Sequence, residues 1–324
     1  MSFKIGNIEI KGRVIPAPLA GYTNSAYRKL LKKFHAAYTV SEMISDYALI
    51  YNNKSTLKMI QIEDDEHPVA LQLFGGSRTS LLMGLKVLEE KSNYDILDIN
   101  LGCPVNKVVK GKAGSSWLMK GREEELYDTI KAVVEASKKP VTVKIRLGWT
   151  HEEINCVEIA KLLEKAGVSL IALHCRTRSD FYDGKALYEY AKQVKEAISI
   201  PFIVNGDIDS PEKAKEVLEY TKADGVMIGR AALGNPYLIE RIDTYLETGV
   251  LLPEASYELQ KELCIHHYET LRDLKGEYIA VREMRTIAPL YFKGVPHSRE
   301  ARVALVSASS EKTFFDAINK LKEL

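Results

Sequence analysis

A mostly apolar run from Tyr94 to Ile99 ends abruptly in Asn100-Leu101-Gly102-Cys103-Pro104. An amide and a thiol at a strand end are well placed for chemistry, because the loops there carry function while the strand supplies rigidity. Pro104 steers Cys103 away from helical geometry, which puts the thiol on a turn and not on a packed helix face. Five basic residues follow, Lys107, Lys110, Lys112, Lys120 and Arg122, with no acid before Glu123. Electropositive, partly exposed surroundings favour a reactive thiol. A lone cysteine is more often a buried structural group, and the local sequence leaves the two readings about even.

A second set of residues could hold an anion. Lys144 and Arg146 alternate with Val143 and Ile145, so on a strand both cations face one side. If that side is the lumen of a closed sheet, an electron-rich or anionic ligand must meet them. The opposite orientation would put them on the outer side, but that side of a parallel barrel is also covered. Asn205-Gly206-Asp207 and Gly229-Arg230 each close a short apolar run with a glycine. Such loops expose backbone N–H groups, Arg230 adds a charged fork, and a short helix after the last strand would aim its N-terminus at a phosphate. The bland alternative is that both glycines only serve tight turns. Gln72 and His174 offer further polar contacts, although a lone strand histidine is often just a satisfied core residue.

These residues need strands to carry them. Short apolar runs alternate with amphipathic stretches, the pattern of repeated βα units. Strands are predicted over Arg13–Ala20, Ala37–Met43, Val69–Phe74, Tyr94–Asn100, Val141–Leu147, Ser169–Cys175, Pro201–Asn205 and Asp224–Ile228. Helical patterns lie between them at Ser80–Glu90, Glu123–Ser137, Glu152–Lys165, Leu187–Ala197 and Pro211–Tyr220. Ser210-Pro211 reads as an N-cap followed by proline at the first helical position. Eight such units point to a (β/α)8 TIM barrel with its chemistry at the C-terminal strand ends. The Gly6-Asn7 turn near the N-terminus suggests a hairpin on the barrel floor. From Asn235 the pattern turns helical, with stretches at Ser256–Leu274, Glu277–Tyr291, Arg299–Ala308 and Glu311–Leu324. The expected organisation is therefore a barrel over residues 1–234 and a smaller all-helical domain over 235–324.

Composition narrows the class. The 324 residues are 46% hydrophobic and 27% charged, with a net charge of +1, so bulk charge does not announce nucleic acid. No apolar run nears the roughly 18 residues of a membrane span, and the N-terminus lacks a signal-peptide stretch. The four cysteines, Cys103, Cys156, Cys175 and Cys264, show no metal-binding or disulfide spacing and fit a reducing cytoplasm. No GxGxxG follows the first strand, which speaks against a Rossmann-type dinucleotide. The strand-end residues suit a phosphorylated, planar, partly anionic cofactor across the barrel mouth, and FMN has that chemistry.

Seven motifs in order carry a resemblance. They are Ala17 to Arg28, Gln72-Leu73-Phe74-Gly75, Asp98 to Lys110, Val143 to Gly148, His174-Cys175-Arg176-Thr177-Arg178, Asn205-Gly206-Asp207 and Gly229-Arg230. Together they resemble the tRNA-dihydrouridine synthases over nearly the whole barrel, and more weakly in the tail at Arg282 to Arg285 and Tyr291-Phe292-Lys293-Gly294. The resemblance implies an FMN enzyme that reduces a tRNA uridine to 5,6-dihydrouridine with NADPH as electron source. It implies that Pro18, Leu19 and Ala20 line the flavin, that Gln72 and Lys144 contact its ring, and that His174 lies near it. Asn205, Gly206, Asp207, Gly229 and Arg230 would hold its phosphate. Asn100 would face the uracil, with Arg146, Arg176, Arg178, Lys107 and Lys110 as further substrate contacts, and Cys103 would be the general acid. The lysines after Cys103 would pull its pKa down unless they point at RNA. The implied partner is tRNA, with no membrane and no metal, and a monomer is expected. Asn24 stands where the family usually has Asp, Leu19 where Met is frequent and Cys175 where Gly is common. Three other readings remain: a free-pyrimidine FMN oxidoreductase resembling dihydroorotate dehydrogenases, a non-redox phosphate-binding barrel such as an isomerase using Lys144, and a tRNA-binding flavoprotein without turnover. The added helical segment and basic loop favour an RNA substrate over a small one.

Overall fold

A computed structural model describes residues 2–321. Its first elements are the antiparallel hairpin β1 (Ser2–Ile5) and β2 (Ile8–Lys11), turned at Gly6 with φ +60°. The strands that follow are β3 (Val14–Pro16), β4 (Thr39–Val40), β5 (Ile44–Ser45), β6 (Val69–Phe74), β7 (Ile96–Asn100), β8 (Val141–Arg146), β9 (Leu170–His174), β10 (Phe202–Asn205) and β11 (Gly225–Ile228). They run parallel in the order β3-β11-β10-β9-β8-β7-β6-β4, with β5 also on β6. A hydrogen bond from the Ala37 N–H to the Val14 carbonyl, 3.0 Å, links the two ends. The result is the expected eight-position barrel.

Two strands differ from expectation, each for a backbone reason. The second position is interrupted. Ser41 turns its hydroxyl into the ladder, accepting from the Gln72 N–H at 3.0 Å and donating to the Glu42 carbonyl at 2.8 Å, and this splits β4 from β5. The first strand stops early because Ala17 makes the last ladder bond, to Ile228 at 2.8 Å, and Pro18 has no N–H to continue it. Pro18, Leu19 and Ala20 thus belong to the loop at the barrel mouth.

The helices are α1 (Ser25–Lys33), α2 (Asp46–Ile50), α3 (Lys54–Met59), α4 (Arg78–Lys91), α5 (Asn106–Lys110), α6 (Glu123–Ala136), α7 (Cys156–Lys165), α8 (Tyr188–Ala197), α9 (Pro211–Thr221), α10 (Tyr237–Thr248), α11 (Tyr257–Lys275), α12 (Glu277–Tyr291), α13 (Arg299–Ser307) and α14 (Glu311–Asn319). The start of α9 is as expected: Ser210 Oγ accepts from the Lys213 N–H at 3.1 Å and Pro211 takes the first turn. The helix α10 packs on α9 and β3 and so completes the ring around the barrel. The last residues of the expected C-terminal helix, 322–324, lie outside the described residues.

Strand parity divides the core. Val143, Ile145, Leu71, Leu73, Ile99 and Val204 face outward and pack under the helices. Ile15, Ala70, Ile96, Leu170, Ile203 and Met227 face inward and meet Ile5 and Ile10 of the hairpin. The hairpin turn sits against Pro140, the residue before β8, so it plugs the N-terminal end of the barrel. Burying each of those two isoleucines contributes roughly 1.5–3 kcal/mol. The lower lumen is thereby dry and apolar, and polar inward residues are confined to the C-terminal half.

The four helices α11 to α14 pack in sequence and lean on α1. Tyr268 stacks on Phe314 with centroids 4.4 Å apart, and Tyr27 of α1 stacks on His267 of α11 at 5.1 Å. Gly234, at φ +71°, lets the loop after β11 touch the backbone of Leu290 and Tyr291, where a Cβ would come to 2.4 Å.

Candidate active site

The base of the mouth is a buried hydrogen-bonded layer centred on Asp98. Gln72 Nε2 donates to Asp98 Oδ2 at 2.7 Å and Thr142 Oγ1 to Asp98 Oδ1 at 2.6 Å. Burial pushes the Asp98 carboxyl up from its ordinary range, against the opposing pull of these donors and of Lys144. Asp98 opened one of the motifs but was given no role, although its place two residues before Asn100 on one strand face was a signal.

The next layer holds Lys144, Arg146, His174 and Asn205, and β8 does turn its cations inward as expected. Lys144 Nζ donates to Asn205 Oδ1 at 3.1 Å, and Asn205 Nδ2 donates to the Met227 carbonyl at 2.7 Å, so Asn205 aims the lysine. Burial, helped by Arg146, lowers Lys144 to about 8. Burial lowers Arg146 only to about 10, so it remains charged at neutral pH. His174 falls well below its ordinary value, through burial and then the cations around it, and is therefore neutral.

Cys103 is pinned at both ends. Its N–H and that of Gly102 donate to Asn100 Oδ1 at 2.9 and 3.1 Å. Its carbonyl accepts from Ser115 N at 3.1 Å and Ser115 Oγ at 2.9 Å. Arg146 Nε holds the neighbouring Gly102 carbonyl at 2.9 Å. The other face of Asn100 donates to Gln72 Oε1 at 2.7 Å, so one amide ties the thiol loop to the Asp98 layer. The segment after Cys103 folds back on itself through Trp117, whose Nε1 donates to the Gly75 carbonyl at 2.9 Å, with the Arg122 guanidinium 4.0 Å above its ring. Burial raises the Cys103 thiol above its ordinary value, opposed by a hydrogen bond from the Val105 backbone and by the charges of Arg146 and Lys144. The following lysines are not among the charges that shift this thiol, and Lys107 and Lys110 sit exposed on α5.

At the ends of β10 and β11 the backbone is open. Gly206, at φ +127°, leaves room that a Cβ would close, 3.0 Å from Ala186 Cβ and 3.3 Å from His174 Cδ2. A Cβ on Gly229 would meet only Ala17 Cβ, at 3.9 Å. The turn after Gly229 is three residues of 3-10 helix, Arg230–Ala232, shorter than the anion-directing helix expected there. The Asp207 carboxylate is engaged by Arg176 at 2.7 and 2.8 Å and by the Ala186 N–H at 2.9 Å, with Arg230 at 3.6 Å. What Asp207 offers a ligand is its backbone and not its side chain. Arg176 in turn also donates to the Asp183 and Gly184 carbonyls and is 2% exposed, so it clamps two loops together.

One cavity of about 590 Å³ gathers most of the expected site. Pro18, Leu19, Ala20, Gln72, Asn100, Cys103, Lys144, Arg146, His174, Arg176, Asn205, Gly206, Asp207, Gly229 and Arg230 all line it. Arg178, Lys107 and Lys110 do not. Arg178 lies over Trp149 at 4.5 Å and donates to Asn106 Oδ1 at 2.9 Å, outside the cavity wall. Met43, at the end of the second predicted strand, also lines the cavity; Tyr182 and Lys293 line it without having been expected there, and Tyr182 sits between Arg146 at 5.5 Å and Arg230 at 5.3 Å. Among the described residues no cluster of His, Cys, Asp and Glu could hold a metal, and no helix is long and apolar enough to cross a membrane.

The profile of one sequence family, dihydrouridine synthase, matches residues 15–323. The chain belongs to the dihydrouridine synthase family. A probable tRNA-dihydrouridine synthase of Rickettsia bellii is 41% identical over 303 residues, 93% of this chain and 92% of that protein. The tRNA-dihydrouridine synthase B of Vibrio vulnificus is 38% identical over 322 residues, 97% and 99% of the two chains. Among solved structures, a morphinone reductase superposes with a TM-score of 0.57 at 15% identity, covering 80% of this chain and 93% of that one, and shares its fold.

Two departures of this dihydrouridine synthase from the family pattern have a structural account. Cys175 points outward into the buried helix-facing core, away from the cavity. Asn24 caps α1 by accepting from the Tyr27 N–H at 3.1 Å and also donates through Nδ2 to Glu283 of α12 at 3.1 Å. Aspartate could make the cap but would repel Glu283, so the amide joins barrel and tail.

Proposed function

We propose that the cavity holds FMN and that the protein reduces the C5=C6 bond of a uridine in tRNA, with NADPH as electron source. The observation that carries this reading is a thiol held protonated at the wall of the same cavity as Lys144 and the glycine ends of β10 and β11. A volume of about 590 Å³ lies within the roughly 300–1,000 Å³ of cofactor sites, and the donor set suits the group: open backbone at Gly206 and Gly229 for a phosphate, a cation for an electron-rich ring edge. Reduced FMN, when bound, supplies the hydride that C6 accepts.

The chain's own residues do the rest. Lys144 would meet the electron-rich edge of the ring, and Asn205 holds its ammonium in place. Arg146, anchored by the carbonyls of Gly102, Thr177 and Phe181, has its Nη2 free of hydrogen bonds among the described residues. It stabilises the charge that develops on O4 as C6 is saturated, the logic of an oxyanion hole applied to an enolate. The Cys103 Sγ–H then gives its proton to C5, and the thiolate recovers one from solvent. A raised thiol pKa suits an acid, because the protonated form persists at neutral pH. A base stacked inside a folded tRNA cannot reach the floor of this cavity, so the target base is extruded into it.

The test is the purified protein's visible spectrum, NADPH oxidation and mass-spectrometric dihydrouridine in tRNA. Cys103→Ala is expected to retain the flavin and its reduction by NADPH while losing roughly 10²- to 10⁴-fold in tRNA reduction. Full dihydrouridine formation by that variant would remove the cysteine from the mechanism.

A further inference from the structure

Among the described residues the cavity wall has one contributor from the C-terminal segment, Lys293, two residues beyond the end of α12. It is exposed and makes no ion pair or side-chain hydrogen bond among the described residues. Its position is fixed by a tight joint. The Gly234 backbone lies against Leu290 and Tyr291 so closely that no side chain fits between. Two chain segments leave that joint for the mouth. One leads back to Gly229 and Arg230 at the end of β11. The other leads forward to Lys293, whose Cα lies within about 8 Å of that of Tyr291 by chain length alone. The lysine therefore enters the cavity wall from the same joint as the loop that leads back to the end of β11.

The side at the ends of β10 and β11 lacks net charge without the lysine. Arg176 and Arg230 are its cations, and Asp207 and Asp209, which also line the cavity, are its acids; two of each cancel. Arg176 spends Nε and Nη2 on two carbonyls and Asp207 and sets Nη1 3.4 Å from His174 Nε2, and Arg230 lies 3.6 Å from the same carboxylate. A phosphate monoester carrying nearly two negative charges at neutral pH would meet backbone N–H groups and a neutralised ring of side chains. Lys293 makes the balance positive.

We propose that Lys293 is a cofactor-binding residue, contributed by the C-terminal helices, whose ammonium pairs with the phosphate of the flavin nucleotide. The proposal rests on the FMN reading above. It makes the helical tail part of the cofactor site, so that tail docking and cofactor retention are coupled through the Gly234 joint.

The test is titration of FMN and of riboflavin, which lacks the phosphate, into flavin-free full-length protein, followed by quenching of flavin fluorescence at low salt. Lys293→Ala is expected to weaken FMN roughly three- to tenfold while leaving riboflavin within about twofold, with Lys293→Arg close to the unaltered protein. FMN bound as tightly by Lys293→Ala as by the unaltered protein would overturn the assignment, and the FMN reading would survive. An equal loss of FMN and riboflavin would also overturn it, since the effect would then be structural. Unchanged FMN affinity with weakened tRNA binding would reassign the lysine to an RNA phosphodiester and overturn it too. If the unaltered protein bound neither flavin, the functional reading itself would fall, and this proposal with it.

Discussion

Lys144 and Cys103 show how burial prepares two groups in one cavity for opposite tasks. Burial disfavours the charged form of each, so it lowers the amine and raises the thiol. The thiol gains as an acid. The amine, at about 8, stays cationic only because the pH of use lies below that value. A consequence is a pH dependence of FMN affinity with a definite sign. Below about pH 8 Lys144 carries its proton and meets the electron-rich ring edge. Above it the neutral amine gives that up, so affinity falls by up to about tenfold per pH unit, the linkage of one proton. Bound FMN stabilises the cation, so the fall begins at the apo value and levels off at the higher value of the complex. Flavin titrations from pH 6.5 to 9.5 check this, and Lys144→Met should flatten the curve while lowering affinity throughout. A limb near pH 8 that survives in Lys144→Met would belong to another group.

At the scale of elements, one of the contacts between barrel and tail depends on a glycine. Gly234 at φ +71° and Gly249 at φ +75° share the left-handed backbone, but a Cβ on Gly234 would come 2.4 Å from Leu290 C whereas nothing lies within 4 Å of one on Gly249. Gly249→Ala should therefore cost about 1 kcal/mol of strain alone. Gly234→Ala should cost that and force α12 away from the barrel, roughly 3 kcal/mol or more. Thermal melts of the two variants measure the difference, and equal melting temperatures would mean that the tail does not bear on this joint. Such contacts were not legible beforehand. Strand parity was, because a two-residue period in Val143 to Arg146 forces its cations to one side, and glycines closing two apolar runs marked the open ends of β10 and β11. The split of the second strand was hidden, since it depends on where the Ser41 hydroxyl turns. So was Ser115, which grips Cys103 from twelve residues away. Arg176 looked like a ligand group by type, and only the fold reveals that its donors are spent on Asp207 and loop carbonyls. Long-range partners of polar side chains carry no local periodicity, and for that reason pattern reading finds the layer of a site but not its wiring.

For the whole molecule, a net charge of +1 leaves no global field to draw in a polyanion. Any hold on tRNA must come from local clusters, and the structure narrows which cations are available. Of the basic run after Cys103, Arg122 is occupied: it lies over Trp117, donates to the Lys112 and Ser116 carbonyls and pairs with Glu125 at 2.9 Å. Lys107 and Lys110 are exposed on α5, only a few residues beyond the thiol, and make no ion pair among the described residues. In the proposed reaction a base enters beside Cys103, so the strand that carries it must pass α5. Each phosphate neutralised there releases counterions, which gives log K against log salt a slope of about −0.7 to −0.9 per contact. Replacing both lysines by alanine should therefore weaken tRNA binding and reduce that slope by about 1.4 to 1.8. FMN affinity should not change, because neither side chain reaches the cavity. Binding isotherms at four or five salt concentrations separate this from a loss of folded protein, which would shift all affinities without altering the slope. An unchanged slope in the double variant would move the RNA path off α5 and onto the tail, where Arg282 and Arg299 would be the next residues to replace.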